Sequence, residues 1–151
     1  MKKLLLLFMI TTVLLGCSNA AKQNADGGRT IDVKLSFEVE NISTGKPKIV
    51  GQTNLPDGTD LMIYLRDRAN YNAGQVVKVQ GGTFTSPEFS MRTNPLTKNL
   101  YIATVTMQTP SSQPPDVQER IGKQGENLRG EPVVKTESGV SVQARQEFEI
   151  K

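Results

Sequence analysis

Ile31-Asp32-Val33-Lys34-Leu35-Ser36-Phe37-Glu38-Val39-Glu40 puts an apolar side chain at every odd position and a polar one at every even position. Successive side chains of a strand point to opposite faces, so this stretch reads as one long half-buried strand with a wet face. The same period recurs downstream. Ile49, Gly51, Thr53 and Leu55 suggest a second strand, and Pro56-Asp57-Gly58-Thr59 reads as a turn. Leu61, Ile63 and Leu65 alternate with Met62, Tyr64 and Arg66 in a third. Arg66 to Gly74 is polar and loop-like. Val76 to Val79 is a short strand closed by Gly81-Gly82, a hairpin signal. Thr83 to Met91 carries Phe84, Phe89 and Met91, with Pro87 arguing for an edge or a break. Leu100 to Thr109 places Tyr101, Ala103, Val105 and Met107 on one face.

The stretch Pro110-Ser-Ser-Gln-Pro114-Pro115 cannot sustain a ladder, and Asp116 is expected to cap a short helix over Val117 to Lys123. Val133 and Val134 begin another strand. Val140, Val142, Ala144, Phe148 and Ile150 share one phase of the last, with Gln146 as the exception. Seven or eight short strands joined by Gly, Pro and Asn turns predict an all-β fold over residues 30–151, an antiparallel two-sheet sandwich first and a small barrel as the alternative. Leu96-Thr-Lys-Asn99-Leu-Tyr101 resembles the Leu-x-x-Gly-x-Tyr entry to a late strand of immunoglobulin-like domains. The resemblance implies an immunoglobulin-like shape and a tyrosine corner at Tyr101, with Asn99 in glycine's place taking the left-handed conformation.

Composition narrows the chemistry. The 151 residues include no histidine, no tryptophan and one cysteine. Imidazole bases, Ser-His-Asp triads, histidine metal sites, internal disulfides and multi-cysteine zinc sites are therefore excluded. No cofactor is indicated.

The start of the chain bears on cell biology. Met1-Lys2-Lys3 is positive, and Leu4 to Leu15 is apolar. As a helix this run spans roughly 18 Å, short of the ~30 Å hydrocarbon core, and it fits a secretory signal. It ends Leu14-Leu15-Gly16-Cys17, which resembles the lipobox of bacterial lipoproteins. The resemblance implies cleavage by signal peptidase II between Gly16 and Cys17, a diacylglyceryl group on the Cys17 thiol, and acylation of the new amino group. A thiolate suits such alkylation as the best nucleophile among common side chains. The chain then divides into a signal peptide, 1–16, a lipidated N-terminus with flexible tether, 17–29, and the sandwich. The small polar tether has a root-mean-square reach of roughly 17–21 Å. Ser18 after the cysteine favours the outer membrane if the host is Gram-negative. The membrane lipid holding Cys17's acyl chains is the first expected partner.

Loss of Lys2 and Lys3 leaves 16 basic against 15 acidic residues. No long basic run survives, so nucleic acid is not an expected partner. Two stretches, Asn54 to Leu61 and Gln113 to Leu128, resemble segments of small exported bacterial proteins without an assigned activity.

The candidate sites are few. Asp57 and Asp60 flank a turn, with Asp67 one strand away. Calcium is one reading, since hard cations want several oxygens, and plain turn chemistry is the other. Glu38/Glu40 and Glu147/Glu149 are i, i+2 pairs that could serve glycoside hydrolysis or simply line a solvated face. Arg66-Asp67-Arg68 with Tyr71 is a polar loop bearing an aromatic, suited to an acidic partner or a glycan. The segment Pro110 to Gly130, with Gln113 and Arg120, is the strongest candidate contact surface. Gly122-Lys-Gln-Gly125 lacks the features of a phosphate-binding loop. Together these point to an envelope lipoprotein with a non-catalytic binding or structural interaction module, facing an envelope protein or cell-wall polymer. An envelope hydrolase using paired carboxylates, or a small-ligand carrier with a cavity between the sheets, are the alternatives.

Overall fold

The computed structural model describes residues 30–137 and 139–151. The expected signal peptide, the cleavage site at Gly16 and Cys17, and the tether with Ser18 lie outside the described residues.

In chain order the strands are β1 (Ile31–Asp32), β2 (Leu35–Glu40), β3 (Lys48–Thr53), β4 (Asp60–Asp67), β5 (Asn72–Lys78), β6 (Thr83–Thr85) and β7 (Asn99–Met107). Helix α1 (Pro115–Ile121) follows, then β8 (Leu128–Arg129), β9 (Val133–Thr136) and β10 (Gly139–Ile150). Eight of these strands form two antiparallel sheets, ordered β5-β4-β7-β10-β9 and β2-β3-β6. The chain crosses between the sheets after β3, after β5 and after β6. β1 and β8 make a separate parallel pair. The fold is the all-β, two-sheet sandwich expected.

The period-two residues build the core. Leu61, Ile63 and Leu65 of β4 lie opposite Met107, Val105 and Ala103 of β7, all buried. Phe84 and Ile49 come in from the other sheet, and Phe89 from the segment after β6. The turn after Leu55 tightens as read: Gly58 takes a φ of +86°, a conformation glycine adopts without a Cβ penalty.

Tyr101 makes the corner that its motif implied. Its hydroxyl donates to the Thr97 carbonyl at 2.8 Å, while its ring stacks on Phe148 at 5.8 Å and meets Tyr71 edge-on at 6.0 Å. Asn99 is not left-handed, however: Asn41 and Arg92 are the described non-glycine residues with positive φ. Asn99 instead opens β7, its Nδ2 donating to Asp67 Oδ2 at 3.0 Å and its Oδ1 accepting from the Leu100 N–H at 2.8 Å.

Three local expectations are corrected. The decade Ile31–Glu40 alternates in burial throughout but is two strands. Ile31 and Val33 donate backbone N–H groups to Asn127 and Arg129 beside β8, whereas β2 bonds β3. Alternation reports which face a side chain takes and not which backbone it pairs with. The Arg66–Gly74 loop shrinks to four residues, because β4 runs on to Asp67 and β5 starts at Asn72. The segment from Thr83 to Met91 is strand only as far as Thr85, at a sheet edge and short of Pro87, the break that this proline implied. Helix α1 begins with Pro115, whose missing N–H costs nothing in a first turn, so Pro114 is the cap and Asp116 lies inside.

Candidate functional site

A sheet exposed on one face should carry polar residues there. The outer face of the five-stranded sheet departs from this. Tyr64 of β4 is 42% exposed and Val76 of β5 is 51% exposed, with half-buried Met62 directly across from Val76. Tyr64 stands opposite Gly74, where a Cβ would meet the ring at 3.1 Å, so the missing side chain lets the tyrosine lie across the edge strand.

Beside this patch runs an open groove of about 490 Å³ lined by Met62, Tyr64, Thr106, Pro110, Thr136 and Ser141, among others. Its floor is β7 and β10, where Ser141 Oγ donates to the Met107 carbonyl at 2.9 Å and lies 3.4 Å from Thr106 Oγ1. One wall is the start of the Pro110 segment, and the other is the end of β9. An exposed aromatic, two aliphatic groups and a row of hydroxyls can make stacking, apolar and hydrogen-bonding contacts together.

The residues singled out by sequence do not converge there. Arg66, Arg68 and Tyr71 sit at the β4–β5 turn, and Gln113 lies against the opposite end of β4. The seven residue steps of β4 separate the two by roughly 24 Å. Arg66 and Arg68 are exposed, as a contact role needs, and so is Arg120 in the last turn of α1.

Tyr71 and Gln113 are engaged within the domain. The Tyr71 ring packs on Tyr101, its hydroxyl donates to the Ser90 carbonyl at 3.3 Å, and burial pushes its pKa up. Gln113 is buried and acts as a substitute strand. Its Oε1 accepts from the Asp60 N–H at 2.8 Å, and its Nε2 donates to the Asp60 and Gln108 carbonyls at 3.0 and 3.2 Å. A glutamine between prolines gives no sequence signal for this. Tyr64, Met62 and Val76 were legible in principle, as large apolar residues on the wet phase of their strands.

Glu38 and Glu40 line a second open groove with Phe37, Val50 and Gln52, and the other carboxylates lie apart from it. Asp60 bonds Lys78 at 2.7 Å, and Asp57 accepts from the Gly82 N–H at 3.3 Å. Glu40 lies 3.7 Å from Lys48, and Glu147 lies 2.8 Å from Arg145. Among the described residues no group of three or more acidic, histidine or cysteine side chains could hold a metal ion.

Asp67 organises the β4–β5 turn. Its Oδ1 accepts from the Tyr71 and Ala69 N–H groups, each at 2.9 Å. Those bonds, Tyr71's foremost, hold the carboxyl below its ordinary 3.8. The folded chain therefore takes up this proton at lower pH than the unfolded one. The turn's stabilisation is complete above pH 3.8 and lost as pH falls through the lower folded value. Asp67→Asn should thus be less stable than wild type at neutral pH, and the difference should close in acid. Urea unfolding at stepped pH checks this; a gap independent of pH would contradict it.

Compared with protein-family models, curated proteins and solved structures, the chain finds no match in any of the three.

Proposed function

We propose that this chain is a membrane-anchored envelope lipoprotein whose sandwich is a non-catalytic binding module. Its anchor would be Cys17 within Leu14-Leu15-Gly16-Cys17, on the exported side of a membrane. Its contact surface would be the Tyr64 face, and its partner an envelope protein or cell-wall polymer. The observation that carries the binding role is the placing of Tyr64, Val76 and Met62 on a wet sheet face beside a hydroxyl-lined groove. Clustered exposed apolar groups rimmed by polar ones mark interaction surfaces.

Binding is favoured over hydrolysis by how the carboxylates are used. Hydrolysis needs two of them converging across a cleft. Here Asp60 and Glu40 each face a lysine on the neighbouring strand, and Glu147 faces Arg145 on its own. Carriage of a small ligand is disfavoured because Leu65, Phe84, Val105 and Phe148 fill the space between the sheets.

A photoreactive side chain at position 64, irradiated in intact cells, should yield a discrete adduct. The same probe at Gln52, exposed on the three-stranded sheet, should not. No adduct at 64, or equal labelling at both positions, would count against this reading.

A further inference from the structure

β10 is the longest described strand, and beyond Gln143 no strand is hydrogen-bonded to its outer side, although β2 and the turn at Ile42–Thr44 pass near it. β9 pairs with it only from Gly139 to Val142, while β7 covers the other side from Gln143 to Ile150. The Gln143 N–H points away from β7, to the Pro132 carbonyl at 2.8 Å. Period two then turns the N–H and C=O groups of Arg145, Glu147 and Glu149 outward as well. Among the described residues no backbone group bonds them.

Natural sandwiches blunt such edges with charge. The charges here do something different. Val142-Gln-Ala-Arg-Gln146-Glu-Phe-Glu-Ile150 has a near-symmetric pattern about Gln146, with apolar and polar positions mirrored but the central charges opposite in sign. An antiparallel strand laid on its own copy about that residue puts Arg145 opposite Glu147 twice. Ala144 then faces Phe148, and Gln146 faces Gln146. Arg145 and Glu147, both with outward backbone groups, form the hydrogen-bonded pairs on either side of the dyad. Neighbouring registers fail. Centring on Glu147 sets it against itself, centring on Arg145 does the same for arginine, and centring on Phe148 sets Glu147 against Glu149. Opposite charges directly across antiparallel strands stabilise, and like charges destabilise.

We infer that this chain forms a two-fold symmetric dimer by edge-to-edge pairing of β10 about Gln146, joining two five-stranded sheets into one. The occupant of the unpaired edge is a second copy, because only a copy reproduces this charge pattern in reverse. The interface is isologous, so it closes at two chains and builds no fibre.

The test uses the full chain with detergent micelles in large excess over protein. The dyad places two copies of position 146 in a non-hydrogen-bonded pair about 4.5 Å apart at Cα, within disulfide range. Gln146→Cys should therefore oxidise to a covalent dimer. Glu147→Cys, displaced from the dyad, should do so poorly, both compared in a Cys17→Ser background so that position 17 cannot crosslink. By sedimentation velocity, Arg145→Glu should raise the dissociation constant by about tenfold or more, and Arg145→Glu with Glu147→Arg should restore it. Both side chains are exposed, so unfolding temperatures should stay near wild type and separate loss of pairing from loss of fold. A monomer at every concentration overturns the inference. So does a dimer indifferent to Arg145→Glu, failure of the double variant to restore pairing, or equal crosslinking at 146 and 147. Palmitate labelling is unaffected by any of these outcomes, so the proposed anchor stands or falls separately.

Discussion

Replacing Cys17 with serine should abolish incorporation of labelled palmitate and shift the protein from almost wholly sedimenting with membranes to almost wholly soluble. Each buried methylene contributes about 0.8 kcal/mol, yet a single myristoyl-length chain binds only marginally. Two or three chains on one residue make attachment persistent, and all of them depend on one sulfur. A serine hydroxyl keeps the size and loses the nucleophile, since a thiol ionises near neutral pH and an aliphatic hydroxyl does not. Cell fractionation and intact-mass measurement read the two consequences independently. A variant that stays in the pellet at its uncleaved mass would show Leu4–Leu15 to be the anchor. A wild-type protein with the mass of bare polypeptide would sink the lipoprotein reading. The described domain starts at Thr30, so the substitution leaves its core untouched and its unfolding unchanged.

The parts of the molecule legible in sequence share a cause. β4 and β7 were readable because their odd residues, Leu61 to Leu65 and Tyr101 to Met107, are buried in one unbroken phase. Tyr101's corner was readable because a four-residue reach from a ring to a carbonyl is local. What sequence hid is the choice of backbone partner. Ile31–Glu40 keeps its alternation across a change from a parallel to an antiparallel neighbour, since side-chain facing is indifferent to that change. β5 was read as half its length, because Ala73 and Gly74 have weak strand preference alone; Tyr64 over Gly74 supplies what they lack. Arg66, Arg68 and Arg120 were legible as exposed, because charge marks exposure. What Gln113 and Tyr71 bond was hidden, because their partners, Asp60 and Ser90, are distant in sequence.

Gly51 makes the same point energetically, and with Phe84 it carries the largest stability effects expected. Its backbone is ordinary extended strand, so no unusual φ demands glycine. The demand is space. Gly51 lies in the central strand of its sheet, between Phe37 on β2 and Phe84 on β6. A Cβ there would overlap the Phe84 ring and stand 2.6 Å from the Ser36 carbonyl oxygen. Phe84 is only 2% exposed and cannot swing aside without opening the core. Gly51→Ala should therefore cost about 3 kcal/mol, the upper range for forcing volume into a packed interior. Phe84→Ala should cost about 3–5 kcal/mol through the cavity that it leaves. The two should not add. With the ring gone the methyl loses that overlap but keeps the close approach to the Ser36 carbonyl, so in the Phe84→Ala background Gly51→Ala should cost about 2 kcal/mol, a coupling of about 1 kcal/mol. Gly81 gives the contrast: at φ +57° with nothing within 4 Å of a built Cβ, its alanine variant should lose about 1 kcal/mol from backbone strain alone, independent of residue 84. Urea unfolding of the single and double variants measures all of this. Gly51→Ala within about 0.5 kcal/mol of wild type would mean that the Phe84 ring does not lie over Gly51 of β3.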